Sequence, residues 1–240
     1  MTPVAMREIR SVEVTSRCNL RCGYCIHPTM PRPKMDMTEA IWARVLVWLQ
    51  FFVDRGTQGE VNLNGTGEPI LHPKFPQMVA DVRRVLGPNG VIQYTTNGKG
   101  LTEAIVEALV PSKPKVCVTA HHFNIAKPAA ALYEKHGLLR SISIDPMVNS
   151  QDWAGQVDWP VRTPKPKPPC MMLLERVGTI NADGTFVMCC MDGSNESAIG
   201  TVFDEPTQKI PKMHEWRLCP KCWQRPPSDR EVTMTALSTY

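Results

Sequence analysis

Three cysteines stand close together near the start of the chain, Cys18, Cys22 and Cys25, in the run Cys-Asn-Leu-Arg-Cys-Gly-Tyr-Cys. Thiolates are soft ligands that suit zinc and iron–sulfur centres. Zinc knuckles usually use two-residue gaps and four protein ligands, whereas this run opens with a three-residue gap. Three thiolates so spaced can hold three irons of a 4Fe–4S cluster and leave the fourth iron open to an outside ligand. The alternatives are a zinc site completed by His27, or three unrelated buried thiols. A second set lies downstream: Cys170, Cys189, Cys190, Cys219 and Cys222. Four of these could hold a fully ligated cluster or a structural zinc ion. Adjacent side chains point oppositely on a strand, so Cys189 and Cys190 compete for one place.

Two other motifs could serve the open position. In Asn64-Gly65-Thr66-Gly67-Glu68-Pro69 the glycines permit close backbone approach to a ligand, and Glu68 offers a carboxylate to an ammonium group. Thr95-Thr96-Asn97-Gly98 ends a later strand, although an Asn-Gly pair by itself is only a turn signal. Together with Tyr24 ahead of the last cysteine, these residues resemble the radical S-adenosylmethionine superfamily. The resemblance implies a 4Fe–4S cluster on Cys18, Cys22 and Cys25 whose open iron binds the amino and carboxylate groups of S-adenosyl-L-methionine. An electron from that cluster then cleaves the sulfonium to methionine and a 5′-deoxyadenosyl radical. Tyr24, Gly65, Gly67, Glu68 and Asn97 become candidate cofactor-binding residues, with Glu68 at the methionine amino group. The family's Gly-Gly-Glu element is interrupted here by Thr66. His121, in Thr119-Ala120-His121-His122, is either a further cofactor contact or a polar loop residue.

The tail resembles the auxiliary-cluster region of twitch and SPASM-type radical enzymes, and its single Cys-x-x-Cys fits the smaller twitch form. By that resemblance Cys170, Cys189, Cys219 and Cys222 ligate a second 4Fe–4S cluster. A fully ligated cluster can move electrons, which suits a net oxidation. Small twitch dehydrogenases, which oxidise a secondary alcohol of an aminocyclitol to a ketone, have the same layout. The resemblance also implies a flavodoxin- or ferredoxin-type electron donor. Asp145 and Asp152 are candidates to take the substrate's proton. One competing activity is radical modification of a peptide by a thioether or carbon–carbon crosslink. Many such relatives carry an N-terminal recognition domain, for which the early position of Cys18 leaves no room. The other alternative is a non-catalytic iron–sulfur or zinc protein, which would have no need of Glu68 beside an open cluster.

These residues must be carried by a folded frame. Strand-like runs occur at Ser11–Val14, Glu60–Leu63, Val91–Thr95, Lys115–Thr119 and Ser141–Ile144. Helical spacing appears between them. One segment begins after the candidate cap Thr38, with Ile41, Val45, Leu49, Phe52 and Val53 on one face; others cover Phe75–Leu86, Thr102–Leu109 and Pro128–Lys135. Strands alternating with helices predict an α/β fold, a partial (β/α) barrel of five or six parallel strands. Its motifs would gather at the C-terminal strand ends, the edge that carries active sites in such barrels. Cys117, mid-strand among valines, reads as an inert core residue. The expected organisation is a barrel domain over 1–159, a Pro/Lys-rich linker over 160–169, and an auxiliary-cluster domain over 170–240. That last domain begins with a β-hairpin, Val177–Asn181 and Thr185–Met188, around Asp183-Gly184, followed by a short helix.

Composition narrows the class of partner. The 240 residues are 42 % hydrophobic and 21 % charged, as in an ordinary globular protein. A formal charge of +4 without any Lys/Arg-rich run does not point to nucleic acid. The partners expected are a small-molecule substrate or a peptide. Val45–Val53 is too short to span a membrane, and no signal-peptide pattern opens the chain. A cytoplasmic protein is expected, in which nine cysteines are metal ligands sooner than disulfides.

Overall fold

The computed structural model describes residues 4–120, 122–143, 152–158, 166–207, 209–210, 218–222, 224–225 and 231. The strands are β1 (Val4–Ala5), β2 (Glu8–Val12), β3 (Glu60–Asn62), β4 (Val91–Thr96), β5 (Lys115–Thr119), β6 (Leu139–Ser143), β7 (Val177–Ile180), β8 (Thr185–Val187), β9 (Ala198–Thr201) and β10 (Lys209–Ile210). The helices are α1 (Glu39–Val53), α2 (Phe75–Leu86), α3 (Glu103–Leu109), α4 (Phe123–Lys135) and α5 (Met171–Glu175). One sheet runs in the order β6-β5-β4-β3-β2-β7-β8-β9, and β1 pairs with β10 apart from it. Strands β2 to β7 pair in parallel, and β8 and β9 add antiparallel at the end. The fold is therefore the open partial α/β barrel expected, with six parallel strands among the described residues. The hairpin of β7 and β8 does not stand apart: β7 lies directly against β2, with Glu8 opposite Val177 and Ser11 opposite Thr179.

Strand alternation sets what each face carries. Val12, Val61, Ile92, Tyr94, Val116, Val118 and Ile180 belong to the buried apolar core that also takes in the inner faces of α1, α2 and α4. The residues between them turn the other way, toward the hollow of the open barrel. Ser11, Thr95, Cys117, Thr119, Ser143 and Thr179 line its cavities. The inward strand positions thus carry small hydroxyl and thiol side chains, whereas the helix-covered face carries large apolar ones. Cys117 accordingly departs from expectation: it is half-buried and lines the lumen, because its position falls on the opposite pleat from Val116 and Val118.

The helices follow the sequence pattern closely, with one difference. Helix α1 is capped as expected, the Thr38 hydroxyl accepting from the Ile41 N–H at 3.3 Å. Trp48 Nε1 and Arg44 Nε both donate to the Val202 carbonyl, at 3.1 and 3.0 Å, and fasten α1 to the turn after β9. Helix α4 begins at Phe123, five residues ahead of Pro128, so proline sits inside it. Proline forfeits one helical N–H there. The packing of Ala126, Ala129 and Ala130 into the core offsets that loss. Gly98 makes room for it, since a Cβ there would lie 2.5 Å from the Ala129 Cβ. Among the described residues, no helix is long and apolar enough to cross a membrane.

Candidate active site

The first cysteine set follows β2. Cys18, Cys22 and Cys25 share a cavity of about 370 Å³ with Tyr24, Gly65, Gly67, Glu68 and Asn97. All the sequence-derived cofactor candidates that fall on described residues therefore meet in one cleft. His121 and Asp145 lie outside the described residues. Asp152 is half-buried and lines none of the three cavities at the two thiol sets and between them.

The loop presents its sulfurs to backbone and side-chain donors. The Leu20 N–H donates to Cys18 Sγ at 3.5 Å, the His27 N–H to Cys25 Sγ at 3.4 Å, and Asn97 Nδ2 to Cys18 Sγ at 3.8 Å. Such bonds favour thiolate and tune an iron–sulfur centre. Burial pushes the Cys25 thiol up to about 11, so loading with metal must release its proton. The Gly-rich turn docks directly behind this loop. A Cβ at Gly67 would stand 2.1 Å from the Thr15 carbonyl oxygen, and one at Gly65 would stand 2.6 Å from the Glu13 Cβ. The Glu68 N–H donates to the Arg17 carbonyl at 2.8 Å, one residue before Cys18. Here the glycines are required by close approach.

Glu68 is buried, and its carboxylate accepts from the Thr96 hydroxyl at 2.6 Å and the Asn97 N–H at 2.7 Å. Burial outweighs these bonds and lifts its pKa from 4.5 to about 7. A raised carboxyl pKa means that ionising the group costs fold stability as pH rises from 4.5 through about 7. A bound cation would offset that cost.

Beneath the cleft sits an ion pair that sequence reasoning missed. Glu13 and Arg32 have 0 % and 4 % of their side-chain surface exposed, and Arg32 Nη1 and Nη2 donate to the two Glu13 oxygens at 2.7 and 3.2 Å. Glu13 also accepts from the Thr66 N–H at 2.7 Å, the Thr66 hydroxyl and the Ala182 N–H at 3.1 Å. Arg32 Nε donates to the Gly193 carbonyl at 3.1 Å. The only local signal for it was a carboxylate between two strand valines, Val12 and Val14.

The second set also converges. Cys170, Cys189, Cys219 and Cys222 surround one small cavity with Leu173, Met188, Leu218, Gln224 and Arg225. The Gln224 N–H donates to Cys222 Sγ at 3.4 Å. Cys190 is absent from that lining and opens instead into a third cavity beside Glu13 and Arg32. Burial, with the neighbouring Cys170 and Cys222, pushes its thiol up to about 12, so it remains close to the tail set. A minor apolar core of Ile26, Met30, Trp153, Ala154, Met191 and Leu218 packs against Cys25 of the first set and Cys189 and Cys222 of the second. Among the described residues, no three Cys, His, Asp or Glu side chains converge closely enough to hold a single metal ion.

A model of the Radical SAM superfamily matches residues 12–162, more than half the chain. The chain belongs to the radical SAM superfamily. Membership implies S-adenosylmethionine and a 4Fe–4S cluster, and the thiol set, glycine cradle and buried carboxylate fit both. The chain is 32 % identical over 127 residues to molybdenum cofactor biosynthesis protein 1 of Bos taurus, covering 51 % of this chain and 18 % of that one. It is 32 % identical over 98 residues to the tungsten-containing aldehyde ferredoxin oxidoreductase cofactor-modifying protein of Pyrococcus furiosus, covering 41 % and 26 %. With GTP 3′,8-cyclase of Aquifex aeolicus it shares 27 % identity over 125 residues, covering 50 % and 37 %. The matched region is thus little more than a third, at most, of each of these three relatives. In fold it is similar to BtrN in complex with AdoMet and 2-DOIA, with a TM-score of 0.68 at 19 % identity over 98 % of this chain and 88 % of that one. It is also similar to native anSMEcpe with bound AdoMet, with a TM-score of 0.59 at 14 % identity over 96 % and 97 %.

The ion pair yields a stability prediction. Arg32→Met strands a buried carboxylate and is expected to lower the unfolding free energy by about 3–5 kcal/mol. Adding Glu13→Gln should recover part of the loss, since an amide oxygen can still accept from Thr66. Urea denaturation of the three proteins checks this, and equal stability of Arg32→Met and wild type would contradict it.

Proposed function

We propose that the chain oxidises a small-molecule substrate by radical chemistry, with two 4Fe–4S clusters in separate roles. Cys18, Cys22 and Cys25 would hold the first, with Tyr24, Gly65, Gly67, Glu68 and Asn97 around S-adenosylmethionine. Cys170, Cys189, Cys219 and Cys222 would hold the second. With the cofactor bound, the first site supplies a carbon-centred radical able to remove a hydrogen atom, and the second supplies an acceptor for one electron. The observation that carries this reading is the convergence of four tail thiols on one cavity, which would leave no iron open to substrate. A group closed in that way is suited to electron transfer.

The residues of the chain do the binding and shielding. Glu68, ionised, would take the ammonium of the cofactor's methionine moiety, while Thr96 and Asn97 hold its carboxylate in place. Gly65 and Gly67 keep the turn against the cysteine loop. The apolar packing of Ile26, Met30 and Trp153 shields Cys25 of the first set and Cys189 and Cys222 of the second. A flavodoxin- or ferredoxin-type donor and a cytoplasmic setting go with this reading. Asp145 keeps its sequence-based candidacy for the substrate's proton, whereas Asp152 lines none of the three cavities.

Replacing Cys219 and Cys222 together by Ala should spare cleavage of S-adenosylmethionine to 5′-deoxyadenosine and reduce substrate oxidation by orders of magnitude. Iron content and circular dichroism must accompany the assay, because metal binding and folding are coupled in a tail with little core. Undiminished oxidation by a folded double variant would make the tail metal structural. Glu68 adds a pH test. An ammonium prefers the carboxylate form, so affinity for S-adenosylmethionine should fall as pH drops below the folded pKa of about 7. The fall approaches about tenfold per pH unit. Equilibrium binding measures it, and Glu68→Gln should flatten the profile; an unchanged slope in that variant would remove Glu68 from the role.

A further inference from the structure

The described end of the Pro/Lys-rich segment, residues 166–169, is stitched to the turn that carries the tail's Cys-x-x-Cys pair. The Arg225 N–H donates to the Pro168 carbonyl at 2.9 Å and the Cys170 N–H to the Arg225 carbonyl at 2.8 Å, so Pro169 and Arg225 form a short parallel bridge. Ahead of that bridge, Lys167 Nζ donates to the Cys222 carbonyl at 2.7 Å and reaches the Pro220 carbonyl at 3.4 Å. Both acceptors belong to the turn from Cys219 to Cys222, which closes through the Cys222 N–H on the Leu218 and Cys219 carbonyls at 3.1 and 3.2 Å. A lysine usually keeps its charged head in water. This one is half-buried and drawn onto a turn that bears two thiols.

The charges around the tail set are unequal. Among the described residues no carboxylate pairs with Lys167. Arg225 lines the tail cavity, but Glu231 neutralises it, with Nη1 to Oε2 at 2.9 Å and Nη2 to Oε1 at 2.7 Å. Lys221 lies in the same turn and is exposed, so salt and water screen it. Asp192 acts on the set at Cys189, whose thiol is raised by burial and then further by that carboxylate. Lys167 is therefore the partly buried cation without a counter-charge at the Cys222 side. Four thiolates on a 4Fe–4S group gather negative charge, and reduction adds one more. Net charge and hydrogen bonds to the sulfurs set the potential of such a group. A nearby cation favours the reduced state, the more so where water is partly excluded. The Gln224 N–H on Cys222 Sγ works in the same direction at the same residue.

We propose that Lys167 is a positioning residue for electron transfer: its ammonium, held on the Cys222 carbonyl, raises the reduction potential of the tail cluster and fits it to accept the substrate's electron. In the oxidation described above the substrate gives a hydrogen atom to the cofactor-derived radical, a proton to a base and one electron to the tail cluster. Lys167 makes and breaks no bond in that sequence. The proposal rests on the two-cluster reading, and it assigns the effect to the charge of Lys167 beyond its hydrogen bond.

The test is an anaerobic redox titration of the reconstituted holoenzyme, followed by electron paramagnetic resonance. The tail signal is the one that S-adenosylmethionine does not shift. Lys167→Gln keeps a hydrogen-bond donor and removes the charge, whereas Lys167→Arg keeps both. Lys167→Gln is expected to make reduction of the tail cluster about threefold to tenfold less favourable, which for one electron is a fall in midpoint of about 30–60 mV. Lys167→Arg should stay with wild type, and the midpoint of the first cluster should move in neither variant. Iron content is measured alongside. An unmoved tail midpoint in Lys167→Gln, an equal fall in Lys167→Arg, or an equal shift of both clusters would overturn the proposal. Loss of tail iron from Lys167→Gln would also overturn it, by making the lysine a structural clasp. A wild type with no second redox signal would defeat the two-cluster reading and the proposal together, whereas a second signal indifferent to the charge would defeat the proposal alone.

Discussion

The Glu13–Arg32 ion pair is the constraint on which the rest of the site depends. Four parts of the chain end on it: β2 through Glu13, the segment after the cysteine loop through Arg32, the Gly-rich turn through Thr66, and the hairpin region through Ala182 and Gly193. Two charges removed from water would be a large cost if either stood alone. Here each carboxylate oxygen and three guanidinium nitrogens find partners, so the cost is met by hydrogen bonds that hold one arrangement only. The pair thus converts electrostatics into geometry. It fixes the thiol loop and the Gly-rich turn relative to each other, and ties both to the tail that carries the second thiol set.

A second constraint is the contrast between the barrel's two faces. Closed α/β barrels fill their centre with branched side chains. In this open sheet the inward positions are Ser11, Thr95, Cys117, Thr119 and Thr179, which are too small to fill the centre. Stability comes instead from the outer face, where the strands' valines and aromatics meet α1, α2 and α4. A hollow interior lined by small hydroxyl and thiol groups can then lie beside both thiol sets without a penalty in core packing.

Much of this was legible in the sequence because its signals are local. Strand alternation, the Thr38 cap and the glycines of the Asn64–Pro69 turn each depend on near neighbours. The elements they predict lie within a few residues of the observed ones, apart from α4. Helical spacing places the start of α4 at Pro128, five residues late, because tertiary burial of Ala126 and Ala129 outweighs the hydrogen bond lost at the proline. Pairing of β7 on β2 joins residues some 170 positions apart and leaves no local trace. Glu13 with Arg32 was equally hidden, since a charge in a strand reads as solvated until its partner is known. Cys117 could have been read correctly: the same alternation that buries Val116 and Val118 turns it inward.

The central claim is that one thiol set is open to an outside ligand and the other is closed. Electron paramagnetic resonance of the reduced, reconstituted protein tests it directly, with spectra taken before and after S-adenosylmethionine is added. The account predicts two distinguishable cluster signals, of which one shifts on addition and the other does not. A single signal, or two that both respond, would contradict it.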